Sequence, residues 1–400
     1  MTLKVVELFA GIGAWSKALN RLEVDYEVVE AVEFDEKTIN SYNIIHNTKF
    51  EKKDITKIDC DKFPDHDILF YSPPCQAFSV AGRQEGFADP RGTLFFSAFE
   101  VIKSKRPQIA IMENVKGLTQ KKFKNEFTSM LNMLEEEGYT NYWKVLNAKE
   151  YGIPQNRDRV FIVSIRNDIS KSFEFPTGFD NGIRLKHLLE DEVDEKYYIS
   201  QDKTEKLLKE YVKGLEKKDR LPSELSLNGE SISYCIDASY AKGISPGSVN
   251  DGRRTHIVET LNTREGGNRQ PKIVEQNELI FVGGFDTSTD KWIEDGKELS
   301  RNFKEGYRVY DSEGIACTQK SNGGGLGGKT GLYKVQYRIR KLTPLECFRL
   351  MGFEDEDYHK LKNNKISNSQ IYKMAGNSIV VNVIEEILKE LIPEYIIKQI

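Results

Sequence analysis

Four short stretches combine residue types that can do chemistry. The first is Phe9-Ala10-Gly11-Ile12-Gly13, which ends an apolar run and opens a helical pattern. Two glycines permit a tight turn there, and the free N–H groups of the following helix face any ligand seated on it. Glu33 ends the next strand pattern, 20 residues after Gly13, where a carboxylate can accept hydrogen bonds from ribose hydroxyls. Asp54-Ile55 adds a carboxylate for an exocyclic amine and an apolar side chain for an adenine ring. The full dinucleotide fingerprint G-x-G-x-x-G is not met, because its last position is Ser16. A nucleoside cofactor without a pyrophosphate fits better than NAD.

The second stretch is Ser72-Pro73-Pro74-Cys75-Gln76. A lone cysteine is commonly a small buried hydrophobe. Here two prolines hold the backbone rigid, and the polar segment 79–92, punctuated by Gly82, Gly86 and Gly92, predicts an exposed thiol under a hinged lid. The third is Met112-Glu113-Asn114-Val115, a carboxylate where a strand pattern stops. In a closed site Glu113 can stay partly protonated and act as an acid; alone, it would read as a solvated or capping glutamate. In the fourth, Gln155-Asn156-Arg157-Asp158-Arg159, strand alternation puts Arg157 and Arg159 on one face. Two guanidiniums side by side are either ion-pair partners or a clamp for an anion or carbonyl oxygen.

These stretches need a scaffold, and residues 1–166 supply its pattern. Strand patterns at Val5–Phe9, Glu27–Phe34, Asp67–Tyr71, Gln108–Met112, Tyr142–Ala148 and Arg159–Ile165 are interspersed with helical ones at Ala14–Leu22, Glu36–His46, Thr93–Ser104 and Lys124–Glu137. Such alternation predicts βαβ units and a mostly parallel sheet covered on both faces. After residue 170 the rhythm changes. A helical stretch near 201–218 precedes short strand-like pieces separated by Gly, Asn and Ser, the mark of a smaller, irregular β domain. Ile257, Thr260, Gly266 and Gly267 recur as Ile315, Thr318, Gly324 and Gly325, a weak repeat at an offset of 58. The tail Asn377–Lys398 reads as one helix whose apolar face needs the first domain as its partner. The expected division is 1–185, 186–371 and a returning helix at 372–400.

Composition limits the function further. The 400 residues carry 58 Lys+Arg against 62 Asp+Glu, a net charge of −4 that speaks against nucleic acid on average. The average conceals a segment. Between Gly314 and Leu345 six basic residues (Lys320, Lys329, Lys334, Arg338, Arg340, Lys341) stand without an acidic one, leaving −10 for the remainder. Basic and glycine-rich, that segment suits phosphate contact, although a solvated loop has the same composition. Five scattered cysteines (Cys60, Cys75, Cys235, Cys317, Cys347) without a C-x-x-C pair argue against disulfides and structural zinc, and for a reducing, intracellular setting. No apolar run is long enough to span a membrane, and the N-terminal one breaks at Glu7, unlike a signal peptide.

Taken together, these motifs resemble the DNA (cytosine-5)-methyltransferase family. The resemblance covers roughly 1–166 and 337–385, with the motifs in the family's order. They are Phe9–Gly13; Pro73–Gln76 with Gly86-Phe87 and Arg91–Phe95; Glu113–Val115; Gln155–Arg159; Arg340–Cys347 with Arg349–Phe353; and Gly376-Asn377-Ser378. It implies an α/β fold, the Rossmann-like mixed sheet of S-adenosylmethionine-dependent methyltransferases with helices on both faces, plus a smaller, mainly β target-recognition domain. It implies a catalytic set of Cys75, Glu113, Arg157 and Arg159. It implies an S-adenosylmethionine pocket from Phe9, Gly11, Gly13, Glu33, Phe34, Asp54, Ile55, Pro74, Asn377 and Ser378. DNA contacts would come from Gln76, from Ser79, Ala81, Arg83 and Arg91 in the lid, and from Thr318, Lys320, Arg338 and Arg340. The implied partner is double-stranded DNA and the implied location the cytoplasm, for a bacterial or phage-encoded protein, with a cognate restriction endonuclease and a monomeric enzyme as further expectations.

The sequence departs from the family in one place. The Thr-Leu pair that usually precedes the motif at Arg340 is missing, since Thr318 is followed by Gln319; Thr260-Leu261 is a second candidate. Two competing readings are an RNA methyltransferase on the same scaffold and a non-enzymatic DNA-binding relative. The Cys-Phe-Thr segment of the RNA branch is absent, because Cys347-Phe348 runs into Arg349. Retention of Cys75, Glu113, Arg157 and Arg159 as a set disfavours a non-enzyme.

Overall fold

Alternate residues of the N-terminal strands belong to two different apolar cores, and this makes a sheet covered on both faces. A computed structural model describes residues 2–74, 94–170, 172–198 and 342–392, Arg340, and the backbone of short strands between 226 and 341. The strands are β1 (Leu3–Leu8), β2 (Tyr26–Val32), β3 (Ile68–Tyr71), β4 (Ile109–Val115), β5 (Tyr139–Asn147), the two-residue β6 (Gln155–Asn156) and β7 (Asp158–Arg166). Helices α1 (Ala14–Arg21), α2 (Glu36–His46), α3 (Leu94–Lys105) and α4 (Lys124–Glu136) lie between them.

The strand order is β2-β1-β3-β4-β7-β5. Strands β1 to β4 pair in parallel, whereas β7 runs antiparallel to both β4 and β5. The sheet is therefore mixed, because β5 reaches β7 through residues 148–157, with no crossover α-helix between them. Val5, Ile68, Phe70, Ile111, Phe161 and Val163 point into one core. Val6, Leu69, Tyr71, Ala110, Met112 and Ile162 point into the other, against α3 and α4. A period of two along each strand produces this division.

The first core is closed by the end of the chain. Helices α5 (Pro344–Leu350), α6 (Asp355–Asn363), α7 (Asn368–Asn377) and α8 (Val381–Leu391) follow one another there. Thr343 starts α5: its hydroxyl accepts from Glu346 N at 3.2 Å, and Glu346 Oε2 accepts from Thr343 N at 2.7 Å. That reciprocal cap, with Pro344 at the first helical position, fixes where the chain re-enters the core.

The chain divides into two compact units, residues 1–197 with 209–257 and 341–400, and residues 198–208 with 258–340. The second contains a four-stranded sheet in the order Lys291–Glu294, Phe281–Asp286, Arg308–Asp311, Leu332–Lys334. The return to the larger unit thus comes at Lys341, not at 372 as the sequence pattern suggests. Leu342, Cys347, Phe348, Leu350 and Met351 are wholly buried in its core, and this apolar segment cannot be left in a small solvated domain. The tail also differs from the single expected helix. Ser378 is extended (φ −73, ψ 165) and separates α7 from α8, so Asn377 ends one helix rather than starting the next. The expected helix near 201–218 and the lid 79–92 lie outside the described residues, as does most of the weak repeat. Among the described residues no helix is long and apolar enough to cross a membrane.

Candidate active site

The loop after β1 is built by three left-handed residues in five. Phe9 (φ 57), Gly11 (φ 58) and Gly13 (φ 79) turn the chain from strand into α1. A Cβ on Gly13 would lie 2.2 Å from His46 Nε2 and 2.7 Å from the Tyr42 ring, so the loop packs directly on α2. A Cβ on Gly11 would meet nothing within 4 Å. That open side is the space a ligand can take.

Two carboxylates border it. Glu33 Oε2 accepts from Gly11 N at 3.1 Å and Oε1 from Asp35 N at 2.9 Å. Burial raises the Glu33 pKa, partly opposed by those N–H donors. The bond from Lys53 N to Glu33 O, 2.9 Å, draws the following turn alongside. Asp54 caps that turn through Thr56, whose N–H and hydroxyl hold the Asp54 pKa low, and Ile55 is buried beneath it. Phe34 is 67% exposed beside Glu33, and Lys52 Nζ lies over its ring, 5.8 Å from the centroid. An open glycine, a flat exposed ring and two carboxylates on adjoining turns fit a nucleoside with hydroxyls and an exocyclic amine.

The second half of the site lies at the other end of the same strand edge. Glu113 faces Phe161 across the β4–β7 pair and Val115 faces Arg159, so Glu113 and Arg159 are diagonal neighbours on one face. Arg159 Nε meets Glu113 Oε1 at 2.9 Å, with both side chains largely buried. Burial raises the Glu113 pKa, while the charges of Arg159 and Arg157 pull it down. The strand continues to Val115, three residues past the expected end, so Glu113 is held by the ladder instead of standing on a free loop.

Arg157 is buried and serves another purpose as well. Its Nη2 donates to Gly376 O at 3.1 Å and to Ser378 O at 2.7 Å. One guanidinium therefore ties the α7–α8 turn, with the exposed Asn377 and the buried Ser378, to the Glu113 edge. Gln155 does likewise with Leu350 O, at 2.7 Å.

Asn114 has a role that the sequence reading does not assign. Its Nδ2 donates to Pro73 O at 3.1 Å, seating the diproline segment against the end of β4. Pro74 is the last described residue there; Cys75, Gln76, Ser79, Ala81, Arg83 and Arg91 lie outside the described residues. So do Thr318 and Lys320, while Arg338 and Thr260 are described by backbone alone. Arg340 requires a correction: it is fully buried, so its guanidinium is withdrawn from phosphate contact. A charged residue inside a basic stretch gives no sequence signal that it faces inward.

Solved structures share this fold over nearly the whole chain. An Entamoeba histolytica methyltransferase, EhMeth, superposes with a TM-score of 0.63 at 17% identity, covering 99% of each chain. The S. pombe Dnmt2 methyltransferase gives 0.61 at 19% identity, covering 98% of this chain and 99% of that one. The scaffold is that of a methyltransferase. The chain belongs to the C-5 cytosine-specific DNA methylase family, which it matches over residues 3–393, and is a DNA (cytosine-5-)-methyltransferase. Among its relatives, the orphan methyltransferase M.SPRI of Bacillus phage SPR is 35% identical, covering 99% of each chain. The type II methyltransferase M.HhaI of Haemophilus parahaemolyticus is 32% identical over 96% of this chain and 93% of its own.

Proposed function

We propose that the enzyme methylates C5 of a cytosine flipped out of duplex DNA at a specific site, through a covalent bond between Cys75 and C6. The buried Glu113–Arg159 pair, joined through Asn114 to the segment that leads into Cys75, is the observation that carries this reading. C5 of cytosine is too weak a nucleophile to take a methyl group unaided. Addition of the Cys75 thiolate to C6 makes C5 enamine-like, while Glu113 protonates N3 and Arg159 donates to the O2 carbonyl. Arg157 fixes the adjoining turn. S-adenosylmethionine, held by the 9–13 loop with Glu33, Phe34, Asp54, Ile55, Pro74, Asn377 and Ser378, supplies an electrophilic methyl group. Loss of the C5 proton then expels Cys75, giving 5-methylcytosine and S-adenosylhomocysteine. Because C6 is stacked in a duplex, the base leaves the helix at a cost of a few kcal/mol. The lid at 79–92 closes over it, and the smaller unit reads the flanking bases.

The relatives include enzymes named orphan and type II, and we propose a restriction endonuclease of the same site as the partner of a monomeric enzyme. The test is incubation with methyl-labelled S-adenosylmethionine and either duplex DNA or tRNA, followed by mapping of the modified cytosines. Label in DNA at one sequence, lost in Cys75→Ser with cofactor binding retained, is the expected result. Label in tRNA alone, or undiminished turnover of Cys75→Ser, refutes it.

A further inference from the structure

Beneath the cofactor loop sits a buried carboxylate that the reaction does not use. Glu7 is fully buried in β1, two residues before Phe9, between Ala31 of β2 and Phe70 of β3. Its Oε1 accepts from Ser16 N at 3.1 Å, from the Ser16 hydroxyl, and from Tyr42 OH at 3.2 Å. Its Oε2 is buried without a hydrogen-bond partner. One carboxylate thus grips the first turn of α1 and the middle of α2, the two elements that hold the glycine loop. His46, its ring tilted 46° against Tyr42 with centroids 4.7 Å apart, bonds the loop itself at Ile12 O, 3.0 Å.

We infer that Glu7 is the positioning residue of the cofactor loop, and that cofactor binding is coupled to loss of its proton. This rests on the 9–13 loop being the S-adenosylmethionine site. The coupling follows from charge. No cation contacts Glu7 among the described residues, and Lys17, one turn along α1, is paired with Glu354 and Asp357 at 2.8 and 2.9 Å. Burial, against the donors Ser16 and Tyr42, pushes the Glu7 pKa up to about 7. S-adenosylmethionine carries a sulfonium and an ammonium against one carboxylate, a net positive charge. Seated on the loop, it favours the ionised form of Glu7, and an opposite charge commonly lowers a pKa by about 1–3 units.

The neighbours do not titrate in the same window. Burial holds His46 down at about 4 and raises Tyr42 and Tyr26 above their ordinary values. Glu33, on Gly11 N, is itself raised by burial, and comparison with a Glu7 variant separates its contribution. By linkage, affinity rises with pH through the Glu7 value and levels above it.

The experiment is calorimetric binding of S-adenosylmethionine to the full chain between pH 5.5 and 8.5, in buffers of different ionisation enthalpy. For a lowering of one unit, wild type should gain about eightfold in affinity across that range beyond any gain in Glu7→Gln, and more for a larger lowering. Near pH 7 it should release about 0.4 more proton per cofactor bound than that variant. Ser16→Ala and Tyr42→Phe each remove a donor that lowers the Glu7 pKa, and both should move the wild-type profile to higher pH. Equal proton release and parallel profiles in wild type and Glu7→Gln overturn the inference while leaving the cofactor reading intact. A wild-type protein that does not bind S-adenosylmethionine at any pH overturns both.

Discussion

Gly11 and Gly13 stand two residues apart in one loop, both left-handed, yet alanine at each should fail for different reasons. At Gly13 a left-handed alanine costs about 1–2 kcal/mol. Its Cβ would also lie 2.2 Å from His46 Nε2 and 2.7 Å from Tyr42, side chains that are themselves anchored on Ile12 O and Glu7. Such overpacking costs a further 1–3 kcal/mol, roughly. Gly13→Ala should therefore lose about 2–5 kcal/mol, which at roughly 2–4 °C per kcal/mol lowers Tm by about 4–20 °C. Gly11→Ala carries only the backbone cost of about 1–2 kcal/mol, because its Cβ enters open space. That same space is where the cofactor would lie, so Gly11→Ala should weaken cofactor binding far more than it lowers Tm. Differential scanning fluorimetry with and without S-adenosylmethionine separates the two. Equal melting points for the two variants, or a Gly11→Ala enzyme with unchanged cofactor affinity, would refute this account of the loop.

Two further predictions concern the Glu113 edge. Glu113→Gln cannot deliver a proton to the base, and single-turnover transfer should fall by about 10²–10⁴-fold. Burial raises the Glu113 pKa, so its contribution to stability is complete below the ordinary carboxyl value and is lost as pH rises through the raised one. Denaturant midpoints of wild type and Glu113→Gln should accordingly converge or cross as pH increases; a gap that widens in favour of wild type contradicts the sign. Arg157→Lys places an ammonium one bond short of the Nη2 position that serves both carbonyls, and should cost about 2–4 kcal/mol. It should raise KM for the cofactor, because the α7–α8 turn carrying Asn377 and Ser378 is released; unchanged urea midpoints and KM would count against the clamp.

Local sequence determined a good deal of this protein. The strand period of two, the helical periods and the glycine turn at 9–13 depend on neighbours a few residues apart, and the α/β scaffold was legible from them. So was the placing of Glu33 beside the 9–13 loop, since a single βαβ unit fixes that distance. The motif order through Glu113, Arg157 and Arg159 sufficed to recognise the family. Glu7 was visible as an interruption in an apolar run, but nothing in the run indicated that Ser16 and Tyr42 would surround it. The function of Arg157 depends on Gly376 and Ser378, more than 200 residues away, and the burial of Arg340 has no local sign in the basic stretch around it. The expected single tail helix broke at Ser378 for the same kind of reason. Sequence determined which residues could bend, pair or ionise, because those properties are local. Burial and long-range partners, set only when the C-terminal helices close the core, decided which of them do.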